Sequence, residues 1–590
     1  MTTPADPAAA FLAQLQTATT VVEIYRSSFP TSIAFSSGFD DAVAWMRENK
    51  PEVKVEILTD PLMADTLVFF RTDATVWAGP LWAPAPEPWL NLGIAPENFE
   101  QFFGDERNKL AHPEVIQPYN ATPEMPDGTT LINDFSRLNE TAVREVLGKQ
   151  HLRWPWSAFT PTEADVCNVV AEAARNGHKI SIAGKRHSQG GHTFSEDAVV
   201  IDITDFNEIL GFDPIAKTIR VQSGTTWDQI QRFVAPHGLS VEIMQAYPFF
   251  TVGGSLGVSV HESDLRFGPI IDSVLSFRLL LADGRVLDVS PTQNEELFGL
   301  VIGGYGLIGL VLEVELQLTD DMLLTQTVTN VTSATFAAAF EQCLKEGTAI
   351  FGYARPCFAL DNRFMVDTSM VTYTQVPGAD PSSPLFAIQD LSYLALRKLI
   401  YDLSRAYDWA KITKWDLQVQ YGDEFNIDQI SRNNLMRADI RIPGDYRSST
   451  DTDALQEYFV PCDRYADFAA GLGRILQAHH VNMISLGIRY VPQTTASVLS
   501  YSAGAAVFSA IMVINHDSSA EGVEAVRAWT REIIDMVISF GGTYYLPYAA
   551  NATFEQSRAA YPRMAEFMAK KDKYDPNHVF YNRFFADYGA

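Results

Sequence analysis

Residues 184–193 combine glycines, cations, histidines and hydroxyls in the sequence GKRHSQGGHT. Glycines leave backbone N–H groups accessible, and Lys185 and Arg186 add positive charge, so the segment could bind a diphosphate. The GxxxxGK[ST] and GxGxxG spacings are both missing, which excludes a Walker loop and a Rossmann fingerprint. An ordinary mobile turn is the alternative that composition alone leaves open. The candidate ligand contacts are Gly184, Lys185, Arg186, His187, Ser188, Gln189, Gly191, His192 and Thr193.

A second glycine cluster follows about sixty residues later, where residues 250–261 read FTVGGSLGVSVH. We predict a strand that gives way to a glycine turn, because small residues flank the glycines on both sides. Two such segments imply one extended ligand that both contact. The candidates in this segment are Val252, Gly253, Gly254, Ser255, Gly257, Val258 and His261.

Helices and strands alternate around these two segments. The sequence Thr160-Pro-Thr-Glu163 matches a capping box with proline at the first helical position, and predicts a helix that ends near Gly177. Asp283-Gly284 predicts a tight hairpin turn. The pattern as a whole predicts an α+β unit over residues 160–318. Its other predicted elements are strands at 180–183, 199–203, 218–221, 276–281, 286–289 and 307–318, and a helix at 226–234.

Composition bounds the function. The chain has 590 residues, and 44 Lys plus Arg against 72 Asp plus Glu give a net charge of −28. This charge argues against sequence-independent binding to nucleic acid. A hydrophobic fraction of 47% allows large cores and excludes disorder as the main state. Four cysteines without a CxxC pair indicate neither a disulfide framework nor a zinc site, so redox chemistry requires a cofactor.

We expect neither a leader nor a membrane span in this sequence. Residues 1–20 lack a basic start and a long apolar core, and the most apolar stretch, 503–514, is too short to cross a bilayer. No carboxylate or cysteine lies near His187 and His192 in sequence, so we expect no metal site there. We expect a soluble, cytoplasmic protein.

Four motifs occur in the order found in one known superfamily: the loop at His187, the TVGGSLG segment, FGPIID followed by LADGRV, and GGYGLIG at 303–309. With them the chain resembles the vanillyl-alcohol oxidase and p-cresol methylhydroxylase (PCMH) flavoproteins, well over about residues 160–320 and again in the C-terminal tail. The resemblance implies FAD as the cofactor. It adds Val311 and Asn582 as cofactor contacts, although Asn582 could simply cap the final turn.

The resemblance also implies a fold class and a division of the chain. The fold is α+β, with a PCMH-type FAD-binding domain of two subdomains. Residues 1–150 form an N-terminal extension of unknown role, and residues 151–320 form the FAD-binding domain. Residues 321–540 form a mixed α+β substrate domain, or cap, and residues 541–590 return to the FAD-binding domain.

A covalent bond from a histidine to the flavin 8α-methyl group is common in similar proteins. His187 matches the bonded histidine of sugar-alcohol oxidases and cytokinin dehydrogenases, whose loop reads Gly-His-Ser, although Arg186 here replaces the glycine. His192 ends a Gly-Gly-His like that of berberine-bridge-like enzymes and is the second candidate. FAD without a covalent bond is the third reading, and either histidine could be a loop residue bonded to local carbonyls. The segment at Gly253 lacks the cysteine of bicovalent members, so no second bond is expected.

Three residues are implied on the substrate side. Arg489 lies in SLGIRYVP, which resembles the strand that carries a flavin-facing arginine in sugar-alcohol oxidases. A cation there would stabilise anionic reduced flavin, and a salt-bridged strand arginine is the alternative. Tyr545 and Tyr548 lie where relatives bring substrate-binding groups under the flavin ring, and packing tyrosines are the alternative. Glu262 follows His261 where relatives frequently have glycine, and the resemblance assigns it no role.

The resemblance implies oxidation of an alcohol, either a carbohydrate, a polyol or a similar CH–OH compound. Hydride passes to N5 of FAD, and oxygen reoxidises the flavin with release of hydrogen peroxide. Two alternatives stay open: a dehydrogenase that uses another electron acceptor, and a catalytically silent flavin-fold protein. The substrate and the oligomeric state also stay open.

Overall fold

The structure is a computed structural model. It describes residues 129–136, 138–148, 161–389, 394–421, 429–438, 442, 443, 446 and 448–589, and the backbone of five short strands before residue 92. The chain divides into two compact units. The first comprises residues 1–117, 391–425 and 439–447, and the second comprises residues 118–390, 426–438 and 448–590. Our prediction assigned 391–425 and 439–447 to the substrate domain, whereas the structure groups them with the N-terminal residues.

In its described residues the first unit contains a sheet of five strands and two helices. The strands Lys54–Leu58 and Glu23–Ser27 pair in parallel, and the other neighbouring strands of the sheet pair antiparallel. Across the sheet the strands are Lys54–Leu58, Glu23–Ser27, Leu67–Arg71, Val76–Pro80 and Leu90–Asn91. The helices are Leu394–Ala406 and Asp408–Tyr421. This unit contains none of the candidate site residues.

The helix Glu163–Arg175 opens the regular part of the second unit. Thr162 is its N-cap: its Oγ1 accepts the N–H of Asp165 at 3.3 Å, and Asp165 accepts the N–H of Thr162 at 2.7 Å. The capping box therefore pairs Thr162 with Asp165, because these two groups satisfy each other's N–H, and the predicted pairing with Glu163 is wrong. Thr160 lies outside the described residues. The helix stops before Gly177, whose φ of +70° suits the left-handed turn after a helix.

Two sheets follow in the part of the chain that resembles an FAD-binding domain. In the smaller, three parallel strands have the order Glu145–Leu147, Val199–Asp202 and Ile180–Ala183. The larger is antiparallel, and its central strand is Leu310–Asp320. The predicted hairpin is confirmed, with Gly284 in its turn at a φ of +85°. The order of the larger sheet is Ile209–Asp213, Thr218–Gln222, Leu310–Asp320, Val274–Leu280 and Val286–Val289, with Leu239–Val241 also paired to Leu310–Asp320.

The predicted strand and glycine turn at 250–258 are wrong, because these residues form the helix Val252–Val258. Thr251 is its N-cap and accepts the N–H of Gly254 at 3.3 Å. The N–H of Gly253 donates to the carbonyl of Ser223 at 2.7 Å, so it is used within the protein. A Cβ on Gly253 would lie 2.8 Å from that of Ser223, and glycine permits this close approach. The other helices of this part are Trp227–Val234 and Glu295–Val301.

An eight-stranded antiparallel sheet forms the other half of the second unit. Helices cover one face, where the rings of Phe336 and Phe508 pack 4.9 Å apart. Because side chains alternate along a strand, Ser509 and Arg489 point to the opposite face. Across the sheet the strands are Ile430–Ser431, Leu323–Thr332, Asp367–Gln375, Ala349–Pro356, Asn482–Val491, Val507–Asp517, Asp451–Pro461 and Thr543–Tyr544. The covering helices are Ser333–Glu346, Tyr465–Ala478 and Ala520–Ser539.

The C-terminal segment returns to the smaller sheet. The N–H of Tyr581 donates to the carbonyl of Ile180 at 2.8 Å. A buried ion pair between Lys571 and Asp575 stabilises the turn before it, and Asp575 also accepts the N–H of Phe580 at 2.8 Å. The C-terminal helices are Phe554–Ala560, Met564–Tyr574 and Arg583–Tyr588.

The remaining elements of the second unit are short. They are the strands Thr130–Ile132 and Thr141–Val143, the helix Arg432–Leu435, and 3₁₀ turns at Ile203–Asp205, Ala235–His237, Ile270–Asp272, Pro384–Phe386 and Cys462–Arg464. Within the described ranges, every helix is too short or too polar to cross a membrane.

Candidate functional site

The loop 184–193 follows the strand Ile180–Ala183 and is anchored by Asp134. This buried carboxylate accepts the N–H of Gly191 at 3.0 Å and the amide of Asn139 at 2.7 Å. Burial raises the pKa of Asp134 above its usual range, and the hydrogen bonds oppose that rise. Asn139 also donates to the carbonyl of Gln189 at 2.7 Å. Sequence reasoning missed both residues because residues 129–148 carry no motif.

His187 lies in an aromatic pocket. Its Nδ1 donates to the carbonyl of Lys185 at 2.6 Å. Its ring lies 5.2 Å from that of Phe135, 4.8 Å from that of Phe249 and 4.6 Å from that of Phe250. Burial lowers the pKa of His187 to about 3, so the imidazole is neutral at physiological pH. The Nδ1–H tautomer puts the lone pair on Nε2.

Two backbone features shape the start of the loop. Arg186 adopts a φ of +56°, a left-handed conformation that costs an L-residue energy and that glycine adopts freely. The N–H of Phe135 donates to the carbonyl of Arg186 at 3.0 Å and holds it there. A Cβ on Gly184 would collide with Oγ1 of Thr251, so this glycine brings the two candidate cofactor segments into contact.

His192 lies on another side of the loop, against the C-terminal helix. Its ring is 5.3 Å from that of Tyr305 and 5.4 Å from that of Phe584. Burial lowers the pKa of His192 to about 3 as well. The structure thus separates the two candidate histidines: His187 contacts the second cofactor segment, and His192 contacts the C-terminal helix.

Two predicted cofactor contacts are engaged within the protein. The Oε1 of Gln189 accepts the N–H of Leu455 at 2.8 Å, which links the loop to the eight-stranded sheet. The hydroxyl of Ser255 accepts the indole N–H of Trp227 at 2.9 Å and donates to Gln245 at 2.6 Å. These side chains fix the position of the two segments.

Two further predicted contacts lie at the edges of the site. Asn582 donates to the carbonyl of Tyr305 at 2.8 Å and accepts the N–H of Phe585 at 3.2 Å, so it caps the final helix. Val311 lies on the strand Leu310–Asp320 and packs against the hydrophobic core.

Arg489, Ser509 and Glu457 share one face of the eight-stranded sheet. Arg489 and Ser509 pair across two adjacent strands. Glu457 lies on the strand beyond Ser509, where it pairs with Ile511. Side-chain alternation puts all three on the face opposite Phe508. Sequence reasoning missed Ser509 and Glu457. Only the strand register, which no local motif encodes, brings them to Arg489.

His261 joins this polar face to the cofactor segment. Its Nε2 lies 2.6 Å from Oε1 of Glu457, and Ser509 donates to the same oxygen at 2.5 Å. Both side chains of the His261–Glu457 pair are almost fully buried. The rings of Phe459 and Tyr501 flank the imidazole at 5.5 and 5.6 Å. His261 follows the helix Val252–Val258 closely, so this contact links the two halves of the second unit.

The three predicted catalytic residues separate into two environments. The hydroxyl of Tyr545 donates to the carbonyl of Val258 at 2.8 Å. The hydroxyl of Tyr548 lies 3.5 Å from Oε2 of Glu457. Burial raises the pKa of Tyr548 well above its usual range, and Arg489 opposes that rise. The structure therefore brings Arg489 and Tyr548 to the Glu457 cluster and engages Tyr545 with backbone.

Comparison with known proteins finds relatives of the region that contains the loop. Residues 158–290 match a family model described as FAD binding domain. The chain is similar to decaprenylphosphoryl-beta-D-ribose oxidase of Mycolicibacterium smegmatis, with 30% identity over 28% of this chain and 38% of the relative. It is similar to L-gulonolactone oxidase of Mus musculus, with 28% identity over 29% of this chain and 39% of the relative. It is also similar to alditol oxidase of a Streptomyces species, with 28% identity over 27% of this chain and 37% of the relative.

The matched region spans about two fifths of the length of these relatives. Residues 158–290 of the family match include the first three of the four motifs, and the fourth, at 303–309, lies beyond them. These matches support an FAD-binding domain of the PCMH type in this region, with FAD as its cofactor.

Residues of the loop, and Ser223 beside the second cofactor segment, fit this cofactor. The hydroxyls of Thr193 and Ser223 are buried and make no hydrogen bond within the described residues. Buried donors of this kind suit a ligand rich in acceptor oxygens, such as a diphosphate. Lys185 adds a positive charge to the same loop. When bound, FAD supplies a hydride acceptor, and the protein supplies its orientation and surroundings.

Proposed function

We propose that the protein is an FAD-dependent oxidoreductase that oxidises the CH–OH carbon of a carbohydrate, a polyol or a similar alcohol. The hydroxyl proton passes to a base of the protein, and the hydrogen on carbon passes as hydride to FAD. A carbonyl compound forms, and oxygen reoxidises the flavin with release of hydrogen peroxide. The names of the three relatives, which refer to a ribose, a gulonolactone and an alditol, support this substrate class.

The observation that carries the proposal is the polar face of the eight-stranded sheet. A sheet face that carries Arg489, Ser509 and Glu457 is unusual, because sheet faces packed against another layer are mostly apolar. The segment that continues the cofactor helix crosses this face at His261. We therefore assign the sheet the role of a substrate cap, with Arg489 as the cation that stabilises reduced flavin.

We also propose that FAD is bonded covalently through His187. Burial keeps the imidazole of His187 neutral, and the neutral imidazole is the form that can bond to the 8α-methyl carbon. The contact of His187 with Phe249 and Phe250, at the start of the second cofactor segment, supports this choice over His192.

The absorption spectrum before and after acid precipitation tests cofactor and linkage together. A yellow pellet is expected for covalent FAD. A yellow supernatant would remove the covalent bond and keep the flavoprotein, and a colourless protein would contradict both.

Anaerobic mixing with xylitol, sorbitol, L-gulono-1,4-lactone and simple alcohols tests the activity. We expect at least one compound to bleach the flavin absorbance, and oxygen to restore it with hydrogen peroxide. Restoration only by a quinone or a dye would favour the dehydrogenase. No bleaching across the panel would contradict alcohol oxidation and favour a silent flavin-fold protein.

A further inference from the structure

Glu262 is a residue of the candidate site that the proposed function leaves without a role. It follows His261 directly, at the point where the cofactor segment meets the eight-stranded sheet. The next residue holds this point in place, because the carbonyl of Ser263 accepts the N–H of Gly352 at 3.0 Å on the strand Ala349–Pro356. Glu262 therefore lies between the cofactor segment and the face that carries Arg489.

The two carboxylate oxygens of Glu262 have different surroundings. Oε1 accepts the N–H of Ser263 at 3.0 Å and its hydroxyl at 3.1 Å, and it lies 3.6 Å from the guanidinium of Arg489. Oε2 is buried and has no hydrogen-bond partner within the described residues. The side chain as a whole is only 9% exposed. A buried carboxylate oxygen without a donor is costly, so this atom suits a ligand that brings its own O–H.

Glu457 and Nε2 of His261 are already engaged, whereas Nδ1 of His261 is buried with no hydrogen-bond partner within the described residues. Oε1 of Glu457 accepts from Ser509 and contacts His261 at 2.6 Å. Its Oε2 faces the hydroxyl of Tyr548 at 3.5 Å. The Nε2 of His261 is used in the contact with Glu457. Of Glu457 and Glu262, only Glu262 has a buried oxygen without a donor within the described residues, and Arg489 lies beside it.

We propose that Glu262 is the base that accepts the hydroxyl proton of the alcohol, with Arg489 as its charge partner. This inference rests on the proposed function. The O–H bond of the substrate breaks and its proton goes to Oε2 of Glu262. The C–H bond breaks and its electron pair leaves as hydride to FAD, so the carbon is oxidised to a carbonyl and FAD is reduced. Deprotonation by water restores the Glu262 carboxylate.

The test uses the purified holoprotein and the variant Glu262→Gln, which keeps the shape of the side chain and removes its charge. We expect FAD content and the thermal unfolding temperature to match the wild type. The anaerobic rate of FAD reduction by the alcohol that bleaches the wild type should fall by about 10² or more, because a positioned base contributes about 10²–10⁴.

A second readout is independent of any substrate. Sulfite adds to oxidised flavin and bleaches its absorbance, so a spectral titration gives its dissociation constant. A carboxylate on the substrate side repels this anion, and Glu262→Gln should bind sulfite about tenfold more tightly. Glu313→Gln is the matched control. Glu313 is a poorly exposed carboxylate that pairs with Arg278 on the sheet whose central strand is Leu310–Asp320. It should leave both readouts unchanged.

Each outcome decides the inference. If an alcohol reduces FAD in Glu262→Gln at a rate within threefold of the wild-type rate, that result would overturn the role of Glu262 and leave the proposed function standing. Slower reduction with unchanged sulfite binding would also overturn it, because the carboxylate would then act from a distance. No reduction of the wild type by any alcohol would overturn the proposed function and this inference together. Glu262→Gly, which restores the glycine common in similar proteins, should reproduce the slow reduction if glutamine disturbs folding.

Discussion

The cofactor loop and the polar sheet face bury their histidines in contrasting surroundings. His187 and His192 lie among aromatic rings, and burial lowers the pKa of each to about 3. His261 instead lies 2.6 Å from the carboxylate of Glu457, in a cluster with Ser509. The first arrangement keeps an imidazole neutral, which suits bond formation with a cofactor. The second holds polar and charged groups in a fixed order, which suits proton transfer at a substrate.

The largest effect is expected when His187, the proposed nucleophile of the loop, is removed. In His187→Ala the covalent FAD should be lost completely, because His187 is the proposed point of attachment and its ring packs against Phe249 and Phe250. Acid precipitation should then give a colourless pellet and a yellow supernatant. His192→Ala is the matched control and should keep a yellow pellet. A yellow pellet from His187→Ala and a colourless one from His192→Ala would move the bond to His192.

The next largest effect concerns the charge on the sheet face. Arg489→Ala should slow FAD reduction about 10²–10³-fold, the usual loss when one preorganised electrostatic contact to a transition state is removed. Arg489→Lys keeps the charge and should lose less. Stopped-flow reduction under anaerobic conditions measures both. The exposed Arg220 of the other sheet provides a control, Arg220→Ala. Equal rates for wild type and Arg489→Ala would show that this face is not the substrate side.

A pH series would sharpen the contrast within the loop. The unfolded chain protonates His192 near its ordinary pKa of 6.5, whereas the folded chain does so only near 3. The contribution of neutral His192 to the free energy of unfolding is therefore fully present above pH 6.5. It is lost as pH decreases towards 3, and the loss reaches about 2 kcal/mol at pH 5. His192→Phe should lose about 2 kcal/mol less than the wild type between pH 8 and pH 5.

Urea unfolding at the two pH values measures this difference. His237→Phe, at an exposed position, is the control and should follow the wild type. Parallel pH dependence in wild type and His192→Phe would contradict burial of a neutral imidazole at this position.

The smallest effect separates the two tyrosines. Tyr545→Phe removes a hydrogen bond to the carbonyl of Val258 and should lower the free energy of unfolding by about 1 kcal/mol. Tyr548→Phe alters the surroundings of Glu457 and should slow FAD reduction more than Tyr545→Phe does. Urea unfolding and stopped-flow reduction compare the two variants. A larger kinetic loss in Tyr545→Phe would return that residue to the list of substrate contacts.

Local signals in the sequence predicted many of the elements. The hairpin at Gly284 and the helix that ends before Gly177 depend on the conformations that a few neighbouring residues prefer, so they are confirmed. The prediction at 250–258 is wrong for a related reason. Glycine permits many conformations, and the N-cap at Thr251 and a carbonyl from Ser223 decide on a helix there.

The candidate site was predictable only in part. Motif order indicated the loop, FAD and the pair Arg489 and Tyr548. It could not indicate Asp134, which anchors the loop from 57 residues away, or Glu457, which meets His261 across 196 residues. Such contacts depend on strand register, and register is a property of the whole sheet rather than of any segment.

The sequence by itself determined the α+β class, because capping residues and alternating strands act over a few neighbouring residues, and the resemblance of four ordered motifs to known flavoproteins implied FAD. Only the tertiary structure decided which carboxylates, hydroxyls and histidines share a face. Those choices follow from packing and burial, which bring residues such as Glu262 and Arg489 within 3.6 Å although 227 residues separate them in sequence (489 − 262).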